Sequence, residues 1–123
     1  MDPLSRAEWS VMKIVWDRGE VIVRDVLDAL AKERGWARNT VRTMLERLVN
    51  KGYVERRQVG PLDFFKPKIP RARAVREAVR DFADRVFDGA VAPFVTYFIE
   101  SRDIDPDELD ALQKALAQKK RSL

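Results

Sequence analysis

Five residues within one short stretch, Arg38, Asn39, Thr40, Arg42 and Thr43, carry side chains suited to reading nucleic acid. Guanidinium groups fork onto guanine edges and phosphates, a carboxamide pairs with adenine, and hydroxyls reach either. Interleaved with them, Val41, Met44, Leu45, Leu48 and Val49 recur at i, i+3, i+4, i+7 and i+8, the spacing of a core-facing helical stripe. The pattern predicts a helix over 38–51 with an apolar back and a polar front weighted to its N-terminal half. Gly52 stops it, because glycine takes the left-handed C′ conformation at no steric cost. On the later turns, Arg47 reads as an intramolecular salt-bridge or scaffold residue rather than a base reader, and Lys51 is set aside with it.

Other chemistry finds no residues to carry it. The chain of 123 residues has no cysteine and no histidine, which removes disulfides, thiolate nucleophiles, Cys/His zinc sites and histidine acid–base catalysis. Asp81, Asp84 and Asp88 fall at helical spacing and read as a solvated face, and no glycine-rich phosphate loop is present. The sequence therefore predicts a non-enzyme with no cofactor or metal. Its net charge of +4 suits an anionic partner. The excess is local: residues 1–69 hold 14 Lys/Arg against 10 Asp/Glu, whereas residues 70–123 hold 10 of each.

The elements that must position the polar face follow from the flanking sequence. Ser5 to Glu8 has the form of a capping box and opens a helix over 6–18, with Ala7, Val11, Ile14 and Val15 inward, Met12 and Trp16 widening the stripe, and Gly19 as its stop. Val21, Ile22 and Val23 predict a short strand. A second helix is expected over 24–34, with Val26, Leu27, Leu30 and Ala31 inward. Past Gly52, extended runs over 53–59 and 62–66 flank the Gly60-Pro61 turn, which predicts a hairpin. Arg56 and Arg57 alternate across its first strand, so at most one of them meets a DNA backbone. Trp9, Trp16 and Trp36 read as packing residues. Helix, short strand, helix, helix, hairpin is the order of a winged helix-turn-helix.

Prolines at 67 and 70 mark a linker and divide the chain into a DNA-binding domain over 1–69 and a helical domain over 70–123. Helices are expected over 72–87, 90–101 and from Pro106, capped by Asp105, with the terminal KKRSL frayed. Three short helices bury little surface by themselves, yet Phe82, Phe87, Phe94, Tyr97 and Phe98 crowd into them. The simplest complement is a second copy in a two-fold dimer, with Phe82, Phe87, Phe94, Phe98, Leu109, Leu112 and Leu116 as its core. The fold expected is mainly α: a winged helix of three helices plus a hairpin wing, then a three-helix dimerisation region.

Thr40-Val41-Arg42-Thr43-Met44-Leu45-Glu46-Arg47-Leu48 followed by Lys51-Gly52, with Trp36 before it, resembles the core motif of the penicillinase-repressor family, the BlaI/MecI-type transcriptional regulators. Ala7-Glu8, Val11-Met12, Trp16, Lys66-Pro67 and the stretch from Phe94 to Glu100 extend the resemblance over nearly the whole chain. It implies a winged helix on a dyad operator, contacted here by Asn39, Thr40, Arg42 and Thr43, and C-terminal helices that dimerise. It also implies a membrane-bound sensor protease that cuts within the fifth helix, a bond that falls at Tyr97–Phe98. Departures are local: Asn39 replaces a common base, Gly60-Pro61 a common Gly-Arg, and Tyr97 an Asn. The copper-responsive branch uses cysteine pairs, and there are none here.

The sequence thus predicts a homodimeric, sequence-specific repressor that binds operator DNA through Arg38, Asn39, Thr40, Arg42, Thr43 and one of Arg56 and Arg57. The alternative is a winged-helix interaction module whose basic face serves an acidic protein partner. The start, MDPLSRAEW, lacks a signal peptide's basic and apolar regions, and no apolar run nears the roughly 18 residues that span a bilayer. A cytoplasmic protein without membrane insertion is expected.

Overall fold

Ser5 begins the first helix as its spacing to Glu8 requires: Glu8 N–H donates to Ser5 Oγ at 3.1 Å, and Ser5 N–H donates back to Glu8 Oε1 at 2.8 Å. In the computed structural model, which describes residues 1–123, the element order is α1 (Arg6–Arg18), α2 (Val23–Ala29), α3 (Arg38–Lys51), β1 (Val54–Val59), β2 (Leu62–Pro67), α4 (Arg71–Phe87), α5 (Val91–Ser101) and α6 (Pro106–Arg121). The chain forms two compact units, Met1–Ala78 and Val79–Leu123.

The first unit is a winged helix. Val11, Met12 and Val15 of α1, Val26 of α2, Val41, Leu45 and Leu48 of α3, and Phe65 of β2 are completely or almost completely buried together. The strands pair antiparallel from Val54↔Pro67 to Val59↔Leu62, joined by the turn at Gly60, whose φ of 59° favours glycine. α3 ends at Gly52 in the left-handed conformation, at φ 85° and ψ 13°, which turns the chain straight into Tyr53 and the wing.

Several expectations change in detail. The short strand expected at 21–23 is a single bridge: Val21 exchanges both backbone hydrogen bonds with Phe65, at 2.9 and 2.7 Å. Val23 instead starts α2, because the Asp25 carboxylate accepts the Ile22 N–H at 2.9 Å and caps a helix there. The helix expected over 24–34 ends at Ala29. Leu30 goes into the core, and the chain leaves in turns held by Arg34 Nη2 donating to Ser10 Oγ of α1 at 3.1 Å. Ala31, expected inward, is exposed.

The proline linker is not a free connection. Ile69 is buried, its carbonyl accepts the Trp16 indole N–H at 2.9 Å, and Lys68 N–H donates to Tyr53 O at 2.8 Å. Ala74 of α4 also joins the core, so the first unit runs to Ala78 rather than ending at residue 69.

In the second unit, Phe82, Phe87 and Phe94 form a triangle of tilted and edge-on rings with centroids 5.5 to 6.3 Å apart, and Tyr97 stands 6.4 Å from Phe87. α6 begins as its Asp105-Pro106 signal indicates, with Asp105 accepting the Asp107 N–H at 2.8 Å. The basic tail is helical as far as Arg121 rather than frayed, since Lys119, Lys120 and Arg121 sit where cations complement a helix C-terminus. No residue from Val79 onward is buried. No helix is long and apolar enough to cross a membrane.

Candidate nucleic-acid interface

The core stripe of α3 fixes its orientation, so its polar residues face solvent as one surface. Arg38, Asn39, Thr40, Arg42, Thr43 and Arg47 are all exposed. The helix starts at Arg38 behind Ala37, which offers no side-chain cap. Thr40 therefore lies within the helix as an exposed residue instead of closing the helix end. Trp36 anchors the approach: it packs on the core, and the Arg34 guanidinium lies 5.3 Å over its ring.

Asn39, Thr40, Thr43, Met44 and Arg47 line one shallow hollow along the front of α3. A second, smaller hollow gathers Arg38 and Arg42 with Arg24 of α2 and with Pro61, Leu62 and Asp63 at the wing tip. No carboxylate lies within 4.0 Å of Arg38, Arg42 or Arg47, although the same unit pairs Arg18, Arg24, Lys51, Arg57 and Lys66. Three of the residues expected at the interface, Asn39, Thr40 and Thr43, therefore share the hollow on the α3 front, and Arg38 and Arg42 stand beside them toward the wing.

The two residues set aside on the later turns of α3 part ways. Arg47, expected to be a scaffold residue, has no ion pair and lies in the hollow with Asn39 and Thr43. Lys51 is the scaffold residue. Its Nζ meets Glu8 Oε1 at 2.7 Å and donates to Pro3 O at 3.1 Å. Glu8 is the buried charged residue of the chain, at 3% exposure, and its Oε2 has no partner. Burial pushes the Glu8 carboxyl up, but the hydrogen bonds from Lys51 and Ser5 and the Lys51 charge outweigh it and hold the group below its ordinary value. Beside this pair, Tyr53 Oη–H donates to Asp2 O at 2.7 Å, so the N-terminal segment is fastened across the α3–β1 junction.

The wing separates its two arginines. Arg57 turns back on the domain, reaching Glu20 Oε1 at 2.9 Å with its guanidinium 5.5 Å over the Phe64 ring. Arg56 has no ion pair and lies beside Glu46, Val49 and Asn50 on the outer side of α3. Arg56 is thus the wing arginine left for a partner. Arg24 was not singled out from the sequence, because an Arg24–Asp28 pair at i, i+4 reads as an ordinary solvated helix face.

In the second unit, Phe82, Val86, Phe87, Phe94, Tyr97 and Phe98 line an open apolar groove. Tyr97 and Phe98 are both exposed on α5, and the bond between them lies within regular helix.

The model of the family described as penicillinase repressor matches residues 4–118. The chain belongs to the penicillinase repressor family. Among its relatives, the methicillin resistance regulatory protein MecI of Mammaliicoccus sciuri is 26% identical over 116 residues, which covers 94% of each chain. The DNA-binding domain of the repressor BlaI superposes on 56% of this chain and 84% of its own, with a TM-score of 0.51 and 32% identity. Monomeric Bacillus licheniformis BlaI in complex with the blaP half-operator superposes on 58% of this chain and 87% of its own, with a TM-score of 0.50 and 31% identity.

Proposed function

We propose that this penicillinase repressor family member is a sequence-specific DNA-binding transcriptional repressor that acts as a homodimer on a dyad operator. The observation that carries the reading is the α3 front: Asn39, Thr40, Arg42, Thr43 and Arg47 exposed on one face, with both arginines free of carboxylates, on a helix locked into the core from behind. A recognition helix in a winged helix enters the major groove with its N-terminal residues on base edges. Arg42 and Asn39 are the base readers, with hydroxyls of Thr40 and Thr43 beside them. Arg56 of the wing meets the backbone, and Arg57 holds the wing to the rest of the domain. The BlaI complex with a half-operator supports one winged helix per half-site.

The dimer is carried by the second unit. Its helices leave Val79, Phe82, Val86, Tyr97, Phe98, Leu112 and Leu116 exposed, a large apolar surface of the kind that marks an association site. A second copy covers it most economically, and two-fold symmetry then matches a palindromic target. Relief of repression by a sensor protease at Tyr97–Phe98 would require α5 to unwind, since proteolysis concentrates at exposed, irregular segments.

Titration of the full chain with its own upstream region tests the reading. Binding should exceed that to scrambled DNA of the same length and fall steeply with salt, by nearly one unit of log–log slope per phosphate neutralised. Equal binding to both DNAs would refute specific recognition and return the basic face to an acidic protein partner. Arg42→Ala should weaken specific binding by about 1–3 kcal/mol while leaving binding to scrambled DNA little changed. An equal loss on both would make Arg42 a backbone contact.

A further inference from the structure

The hollow at the wing tip holds more positive charge than base reading explains. Arg24 of α2, Arg38 and Arg42 of α3, and Asp63 of β2 come together around it, with Pro61 and Leu62 closing the side toward the wing. Three guanidinium groups thus share one concavity with a single carboxylate. Arg38 and Arg42 lie one turn apart on the same helix and repel each other. Arg24 has a carboxylate near it, Asp28 at 3.7 Å, but both side chains are about 70% exposed and such a pair holds weakly in water. The hollow measures about 40 Å³, room for a few oxygen-sized groups.

An anion with several oxygens in a tetrahedral arrangement matches this cluster, because each planar guanidinium can fork onto two of them. The apolar rim of Pro61 and Leu62 suits a sugar face beside that anion. A DNA backbone supplies both, and it necessarily runs past this point if the front of α3 lies in the major groove. We propose that Arg24 and Arg38 together seat one backbone phosphate of each operator half-site beside the base-reading Arg42, and that Arg24 and Asp63 set how tightly it is held. This rests on the operator-binding reading and extends it to α2 and to an acidic residue of the wing. Arg24 contributes affinity and register without sequence information. Asp63 forms no ion pair with any of the three arginines, but its negative charge beside the seat weakens the phosphate's hold in the complex. The wing therefore limits binding strength at a tip that carries no cation.

The experiment uses the full chain, its upstream DNA and a scrambled duplex, titrated across a salt series. Arg24→Ala should lower affinity for both duplexes by about the same factor, near tenfold at low salt, and flatten the log–log salt slope by about one unit per half-site. Arg24→Lys should restore most of the slope, since it keeps the charge. Asp63→Asn should tighten binding to both duplexes several-fold. Arg24 is exposed and its ion pair with Asp28 is weak, so the Arg24 variants keep the wild-type melting temperature. Arg24→Ala with unchanged affinity and slope, in a wild type that discriminates its upstream region, would overturn the phosphate seat alone. A wild type that binds both duplexes equally would overturn the operator reading, and this proposal with it.

Discussion

Replacing Lys51 with methionine should destabilise the first unit by about 3 kcal/mol near neutral pH, toward the low end of the loss seen when one partner of a buried ion pair is removed. The low end applies because Lys51 keeps a quarter of its side chain in solvent, while Glu8 keeps almost none. Methionine preserves most of the packing of the lysine stem, so the cost falls on the Glu8 carboxylate left without its cation. That origin gives the loss a distinctive pH dependence. In the wild type the Glu8 carboxyl sits below its ordinary value of 4.5, so its stabilisation is fully present above that value and is lost as pH falls through the lowered one. In the variant, burial dominates and raises the carboxyl instead. A raised group stabilises the fold at low pH and loses that contribution as pH rises. The gap between wild type and variant should therefore be widest near pH 7 and should shrink as pH falls through the lowered Glu8 value, below which both carry a protonated Glu8. Urea unfolding at fixed protein concentration, followed by tryptophan fluorescence, measures it. A gap that stays constant with pH would assign the loss to packing and not to charge.

The same pair shows what the sequence could and could not convey. Ser5 and Glu8 are three residues apart, and that spacing alone announces a capping box. Lys51 is 43 residues from Glu8, so nothing local indicates that the capping carboxylate is also a buried ion-pair partner. Arg47 and Lys51 are similar cations at neighbouring turns of one helix. Their roles diverge because the N-terminal segment and α1 pack against the last turn of α3 and leave the earlier turns open.

Elements whose period repeats over several turns were legible: α1 and α3 have the predicted bounds, because each carries an unbroken apolar stripe and a glycine stop. α2 was not, since Leu30 is buried whether it ends a helix or continues one, and periodicity does not distinguish the two. Three β-branched residues at 21–23 signalled extended chain, but the Asp25 cap on Ile22 competes locally and keeps only Val21 extended. On the interface, the side chains of α3 could be read from type and spacing. The involvement of Arg24 and the engagement of Arg57 by Glu20 depend on tertiary approach across α2, α3 and the wing, which no short-range pattern encodes.

The second large effect is expected from Phe98→Glu. Phe98 lies 48% exposed on α5 beside Phe82, Phe87, Phe94 and Tyr97, so a charge there leaves little of the chain's own packing disturbed. Against a second copy, the same carboxylate would be buried without a partner, at a cost large enough to separate an association built on apolar contact. Light scattering should then report a monomer of 14.3 kDa where the wild type reports twice that mass. Two linked winged helices bind a dyad with the second contact effectively intramolecular, an advantage of about 10² to 10⁴ in affinity. The variant should lose that factor on a full operator and bind an isolated half-site as tightly as before, because its α3 is untouched. Trp9, Trp16 and Trp36 all lie in the first unit, so their fluorescence melt reports whether the winged helix remains folded in the variant. A Phe98→Glu protein that still dimerises would place the interface elsewhere on the helices. A monomer that binds the full operator as tightly as the wild type would show that one winged helix suffices, and the two-fold match between protein and DNA would no longer explain how the operator is recognised.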